Sequence, residues 1–121
     1  MIECILVGVG GFFGSVCRYL AGKIPLGAEG GFPYKTLGIN VLGAFVLAAV
    51  AAAAAKSGRL SPRLVLMLKA GVCGGFTTFS TFAYETAGLA ANGRAGLAAL
   101  YAVLSVGLGV GAVYAAGALF G

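Results

Sequence analysis

Residues 70–82 read AGVCGGFTTFSTF: two adjacent glycines, then four hydroxyl side chains set among phenylalanines, all inside a longer apolar run. Tandem glycine at Gly74 and Gly75 weakens a helix by roughly 1 kcal/mol per residue relative to alanine. The hydroxyls that follow suit the cap of a helix that starts again. The spacing therefore predicts two half-helices with a break near residues 74–78. A break at membrane depth exposes carbonyl oxygens at the end of the first half and N–H groups at the start of the second. Carbonyls suit a bare cation, and N–H groups with the positive end of the helix dipole suit an anion. Two readings fit: a break that faces ions, or a glycine hinge packed against a neighbour and healed by threonine hydroxyls.

The composition places this stretch in a bilayer. The chain has 121 residues, 60% hydrophobic and only 9% charged, where soluble domains carry about a quarter charged residues. Four apolar segments, about 2–22, 36–55, 64–90 and 97–119, approach or exceed the ~20 residues of a membrane-crossing helix. The joints KIPLGAEGGFPYK, KSGRLSPR and NGRAG carry the glycine, proline and charge expected of loops. The short third joint predicts a tight antiparallel pair of the last two segments. Hydrophobicity is continuous rather than alternating, which argues against a β-barrel. The whole chain, 1–121, reads as one all-α, four-helix membrane unit with no soluble domain. Its N-terminal apolar run lacks a basic leader and a clear cleavage site, which disfavours a removed signal peptide.

The residues that are missing narrow the function. There is no histidine, aspartate or tryptophan, and the acids are Glu3, Glu29 and Glu85. An acid–base dyad or a carboxylate-bound metal is hard to assemble from that stock, so enzyme chemistry is not expected. Cys4, Cys17 and Cys73 stand singly, without zinc or redox spacing, and read as small packing residues. The net charge of +5 comes from basic residues near segment ends, where headgroups meet them, so nucleic acid is not an expected partner. Lys56, Arg59, Arg63 and Lys69 fall on one side and Arg18, Lys23, Lys35 and Arg94 on the other, a difference of 4 − 4 = 0. Charge thus gives the inserting machinery no instruction. Either one early helix decides, or the chain inserts both ways up and two copies pair in opposite orientations.

Polar residues gather on faces. Thr77, Ser80, Thr81 and Tyr84 recur at i, i+3, i+4 and i+7, with Phe79 and Phe82 on an adjacent face. Thr36, Asn40 and Gly43 share a face of the second segment, and Tyr101 and Ser105 lie one turn apart in the fourth. Gly11, Ser15, Arg18 and Gly22 form a stripe on the first, and Gly107 and Gly111, with Tyr114, form a Gly-x-x-x-Gly pair on the fourth. Small residues let helices approach closely in lipid. An amide inside a membrane is costly without a partner. Several such faces in so apolar a chain favour a permeation path. Its hydroxyls, amides and phenylalanine edges lean towards a small anion, whereas a cation pore usually shows acidic rings.

At these residues the chain resembles the Fluc (CrcB) family of prokaryotic fluoride channels. The match lies in GGFFGSVCRY at 10–19, TLGINVLGAF at 36–45 and GVCGGFTTFSTF at 71–82, and its spacing covers essentially the whole chain. Lys35 and Ala48 depart from residues common in the family, and neither touches the presumed pore. The resemblance implies a multi-pass protein of the cell membrane that forms an antiparallel, dual-topology homodimer, with two pores that let fluoride leave the cytoplasm passively. It implies an ion pathway of Asn40, Phe79, Phe82, Ser80, Thr81 and Tyr101. It also implies a structural sodium on the dimer axis, held by the main-chain carbonyls of Gly74 and Thr77 from each copy. Arg18 matches a structural arginine, Glu85 a glutamate near the pore mouth, and Thr36 is left without a defined role. Two rivals remain at this point. A small multidrug efflux transporter shares the size, but it carries a membrane-embedded glutamate in its first helix, where this chain has Arg18. A non-transporting assembly subunit held by glycine packing is the other.

Overall fold

A computed structural model describes residues 1–28 and 30–121; Glu29 lies outside the described residues. All regular elements among them are helical. Helix α1 is Ile2–Ala21 and α2 is Tyr34–Ser57. The third crossing runs over 30 residues, Pro62–Ala91. It comprises α3 (Pro62–Leu66), a π-helical stretch (Met67–Cys73), α4 (Gly74–Phe76) and α5 (Phe79–Ala91). Helix α6 is Ala95–Phe120. Four helical spans are long and apolar enough to cross a membrane.

Local chemistry explains where the elements start and stop. Ser61 caps α3 by accepting from the Leu64 N–H at 3.1 Å, and Pro62 follows at the first helical position, where its missing N–H costs nothing. Gly58 ends α2 at φ 63°, a left-handed conformation that glycine adopts freely. The third crossing breaks at Thr77 (φ −84°, ψ 157°) and Thr78 (φ −149°, ψ 113°), both extended. The expected break is therefore present, at the C-terminal edge of the predicted window. The adjacent glycines themselves stay helical.

The loops report the topology. Arg94 Nη1 donates to the Gly30 carbonyl at 2.8 Å, which brings the first and third loops to one end. Glu3 pairs with Arg63 at 3.4 Å at the other end, beside the second loop. The four spans therefore run up and down in sequence order. Their neighbours differ in part from expectation. Helix α6 meets α5 but lies mainly along α2, because α5 is only 13 residues long and offers α6 a short face.

Helix α1 lies along the first half of the third crossing through glycines on both sides. Gly10 is buried against Met67, Gly71 and Val72, and Gly14 against Val72 and Phe76, while Gly75 packs on Gly11 and Ser15. A Cβ on Gly10 would stand 2.6 Å from the Met67 carbonyl oxygen, and one on Gly75 would stand 2.7 Å from that of Gly11. One on Gly14 would run into the Val72 carbonyl. The seam thus joins two Gly-x-x-x-Gly pairs, 10/14 and 71/75, which bring backbones into direct contact. The stripe expected on α1 meets this seam at Gly11, Ser15 and Arg18. Gly107 and Gly111 of α6 have open space around them, and Tyr114 is 76% exposed.

Gly14→Ala and Gly10→Ala are expected to destabilise the protein by roughly 1–3 kcal/mol through overpacking. Gly8→Ala, on the same helix with nothing within 4 Å, is expected to be neutral or to stabilise by up to about 1 kcal/mol. Thermal unfolding of the detergent-solubilised protein separates the two classes. Equal midpoints for all three variants would mean that the seam is looser than described.

Candidate functional site: the interrupted helix and its polar seam

Extended backbone at Thr77 and Thr78 takes peptide groups out of the helical ladder, and buried peptide groups need partners. Asn40 supplies two of them. Its Oδ1 accepts from the Thr78 N–H at 2.7 Å, and its Nδ2 donates to the Thr78 carbonyl at 3.1 Å. The amide thus pairs with the extended backbone of Thr78 as a second peptide group would. One turn along α2, Gly43 has no side chain because the Thr77 methyl occupies that space. One turn back, buried Thr36 donates to Glu85 Oε2 at 3.0 Å. The face of Thr36, Asn40 and Gly43 read from the sequence is therefore the face that meets the break.

Each half of the interrupted helix is treated differently. On the C-terminal side of α4, Arg18 Nε donates to the Gly75 carbonyl at 3.1 Å. Thr77 folds back, its Oγ1 donating to the Cys73 carbonyl at 2.9 Å. The Thr78 N–H that would close a helical turn on the Gly74 carbonyl goes to Asn40 instead. On the N-terminal side of α5, Thr78 Oγ1 caps the helix by accepting from the Thr81 N–H at 3.2 Å. It also donates to Thr81 Oγ1 at 3.1 Å and lies 3.5 Å from Ser80 Oγ. Thr77 therefore leaves the hydroxyl face on which helical spacing placed it, and Thr78 becomes the hub. A threonine immediately before a restarted helix is an N-cap signature, and that signal could have singled out Thr78.

The aromatic residues line up beside the break. The Phe79 and Phe82 ring centroids are 5.8 Å apart, and Phe82 meets Tyr101 edge-to-face at 5.1 Å. Tyr101 is completely buried, packed also against Phe32 at 5.5 Å, while Phe79 is 79% exposed. The Tyr101 hydroxyl donates to Glu85 Oε1 at 2.8 Å. Both oxygens of Glu85 are thus engaged, one by α2 and one by α6. Ser105, one turn beyond Tyr101, has a buried hydroxyl oxygen without a hydrogen-bond partner. Ser80 and Tyr84 are exposed.

A cavity of about 900 Å³ opens between these elements at the end that carries the first and third loops. Arg18, Lys23 and Lys35 line it, together with Thr36, Thr78 and Glu85, so Lys35, expected to stand clear of the pore, borders this cavity. Lys23 sits over the Tyr19 ring at 5.0 Å, and Lys35 donates to the Gly22 carbonyl at 2.9 Å. Among the described residues the lining holds three cations against one carboxylate, a balance that attracts anions. Of the expected site residues, Asn40, Thr81, Phe82 and Tyr101 come together with Thr36, Thr78 and Glu85, and Phe79 adjoins them. Among the described residues no cluster of three or more histidine, cysteine or acidic side chains could hold a metal.

Comparison with known proteins places these features in a family. The family model described as CrcB-like protein, Camphor Resistance (CrcB), matches residues 5–118. A protein of Chlorobaculum tepidum named fluoride-specific ion channel FluC is 43% identical over 94% of this chain and 90% of its own length. One of the same name from Rhizobium etli is 42% identical over 95% of this chain and 93% of its own length. A third, from Anaeromyxobacter sp. (strain K), is 46% identical over 88% and 85% respectively.

Asn40→Ala strands both the N–H and the carbonyl of Thr78. At about 1–3 kcal/mol for each unsatisfied group, the loss of stability is expected to be roughly 2–6 kcal/mol. Hydrogen exchange at Thr78 and the residues next to it reads this directly. Protection equal to wild type would show that Asn40 does not hold the break.

Proposed function

The chain belongs to the CrcB-like family, and from that premise we propose that it is a fluoride channel: a multi-pass membrane protein that passes the anion down its gradient without catalysing a reaction. The observation that carries this reading is the Asn40 amide on interrupted backbone beside Phe82 and the buried Tyr101 hydroxyl. Relatives named for fluoride specificity support the choice of ion.

Fluoride is small and strongly hydrated, so every water it sheds must be replaced by a close donor. The Asn40 Nδ2 carries two protons and spends one on the Thr78 carbonyl. The second is left for an anion. Thr78 Oγ1 caps Thr81 and leaves the first N–H groups of α5 uncapped at the positive end of the helix dipole. The hydroxyls of Ser80 and Thr81 follow along that helix. Phe79 and Phe82 contribute ring edges, which carry partial positive charge. Tyr101 orders the next station with Glu85, and Thr36 fixes that carboxylate from α2. The cationic mouth built from Arg18, Lys23 and Lys35 raises the local anion concentration.

The finer reading is a pair of chains in opposite orientations, with two pores and a sodium ion between them. Four basic residues on each side of the membrane support insertion both ways up. Main-chain carbonyls are hard oxygen donors of the kind a small alkali or alkaline-earth cation accepts. The residues fit such an ion: the Gly74 carbonyl is released when Thr78 turns to Asn40. The carbonyls of Gly74 and Thr77, one set from each copy, would hold the sodium. Its charge would offset carbonyl dipoles gathered at the interface. Arg18, committed to the Gly75 carbonyl, acts as a structural brace beside it.

Liposomes loaded with potassium fluoride and carrying the purified protein are expected to release fluoride rapidly, and those loaded with potassium chloride hardly at all. Equal release of the two anions ends the fluoride reading. Phe82→Ile is expected to slow fluoride efflux by at least about tenfold, a loss of only ~1.4 kcal/mol of barrier stabilisation, with the solubilised protein still folded. An undiminished rate would remove Phe82 from the pathway.

A further inference from the structure

A second basic site lies away from the break. Lys69 sits within the π-helical stretch of the third crossing, inside an apolar span. Among the described residues no hydrogen bond or ion pair reaches its ammonium, and the acid at that end, Glu3, is taken by Arg63 and the N-terminal amine. An unpaired cation at such a depth is costly and calls for a partner. Lys69 also lines a groove of about 710 Å³, whose other walls include Leu47, Ala54, Leu60, Val65 and Leu66. The groove lies between α2 and the first half of the third crossing, and Lys69 is the one charged residue among its described lining.

We propose that this groove binds one anionic phospholipid, with an acyl chain along Leu47, Val65 and Leu66 and the phosphate at the Lys69 ammonium. The geometry suits the two parts of such a molecule. Lys69 stands seven residues beyond Pro62, roughly 10 Å along the axis at 1.5 Å per residue. Helical side chains lean towards the N-terminus of their helix, so its stem is directed back towards the membrane face at Pro62. A lysine stem covers apolar surface while its head seeks the interface. Lys56 follows directly on Ala54 and Ala55 at the end of α2, and Arg59 precedes Leu60 of the groove. The headgroup end is therefore flanked by further cations, all exposed, and the charge complementarity favours an anionic over a zwitterionic lipid. This inference concerns the lateral surface and is independent of the ion that the chain passes.

The test uses the purified full-length protein in detergent, mixed with equal amounts of dioleoylphosphatidylglycerol and dioleoylphosphatidylcholine. Native mass spectrometry then measures the lipid retained. Wild type is expected to prefer the glycerol lipid on the order of fivefold for each basic residue engaged. Lys69→Met should lose that residue's share of the preference, Lys69→Arg should keep it, and thermal unfolding midpoints should follow the same order. Equal retention of both lipids by wild type overturns the proposal, whatever the variants do. So does an unchanged preference in Lys69→Met. If glycerol 3-phosphate displaces the lipid at comparable concentration, the site takes a soluble anion and the proposal fails. If Lys69→Met changes the number of chains in the particle, a second copy covers the groove and the proposal fails.

Discussion

A peptide group removed from its helix inside a bilayer has no water to turn to, and Asn40 meets that constraint for Thr78. The two hydrogen bonds between them fix α2 to the one point where the third crossing loses its own ladder. Other positions follow from that point. Gly43 must be small because the backbone so held drives the Thr77 methyl against α2. Arg18 reaches across from α1 because the end of α4 leaves a carbonyl at Gly75 to be satisfied. Thr78 can cap α5 because its own backbone is already engaged. Three of the four spans therefore converge on the interruption between Gly75 and Phe79.

The fourth span is tied in by charge. Glu85 is the acid of the membrane interior, and α2 and α6 each give it one hydroxyl donor. A carboxylate with both oxygens occupied is held in place, and it is less repulsive to an approaching anion than a bare one. Among the described residues, three cations line the adjoining cavity. The polar groups around the break are thus not scattered. They divide between acceptors gathered at the end of α4 and donors gathered at the start of α5, the division that a broken helix imposes by its own polarity.

The outline of this arrangement is legible in residue types. Four apolar runs predict the four spans to within about two residues at each end. The pattern of glycine followed by threonine predicts the break, and Thr36, Asn40 and Gly43 fall on one face because the helical period requires it. Other features were less accessible. Helical spacing put Thr77 on the hydroxyl face of α5, but spacing holds only while the helix continues, and α5 starts at Phe79. The π-helical stretch has no simple residue signature. It lies where Gly71 meets Gly10, so the widened turn belongs to the packing of two helices. The seam of Gly10 and Gly14 with Gly71 and Gly75 was hidden by abundance: 22 glycines supply more Gly-x-x-x-Gly pairs than there are seams. The pair chosen on α6 faces open space. The partner of α6 could not be read from loop length either, because a short joint fixes where a helix begins and leaves open which neighbour it follows.

The open surfaces bear on the proposed assembly. Phe79 is 79% exposed directly beside the break, and Gly74, whose carbonyl loses its usual partner, is exposed too. Irregular backbone is tolerated at membrane depth only when protein or a wet cavity covers it. Lipid chains can cover Phe12, Val103 or Leu119 at no cost, but they cannot satisfy a carbonyl. A lone subunit in a bilayer would therefore leave its most polar seam against hydrocarbon. A second copy, with its own break at the same depth, would meet it there. Opposite insertion is the arrangement that brings two mid-membrane breaks to a common two-fold axis while each chain keeps its loops in water. In that pairing the released carbonyls of both copies would face one another and would repel unless a cation lay between them. The sodium of the proposed channel would then answer the repulsion created by closing two interrupted helices on each other.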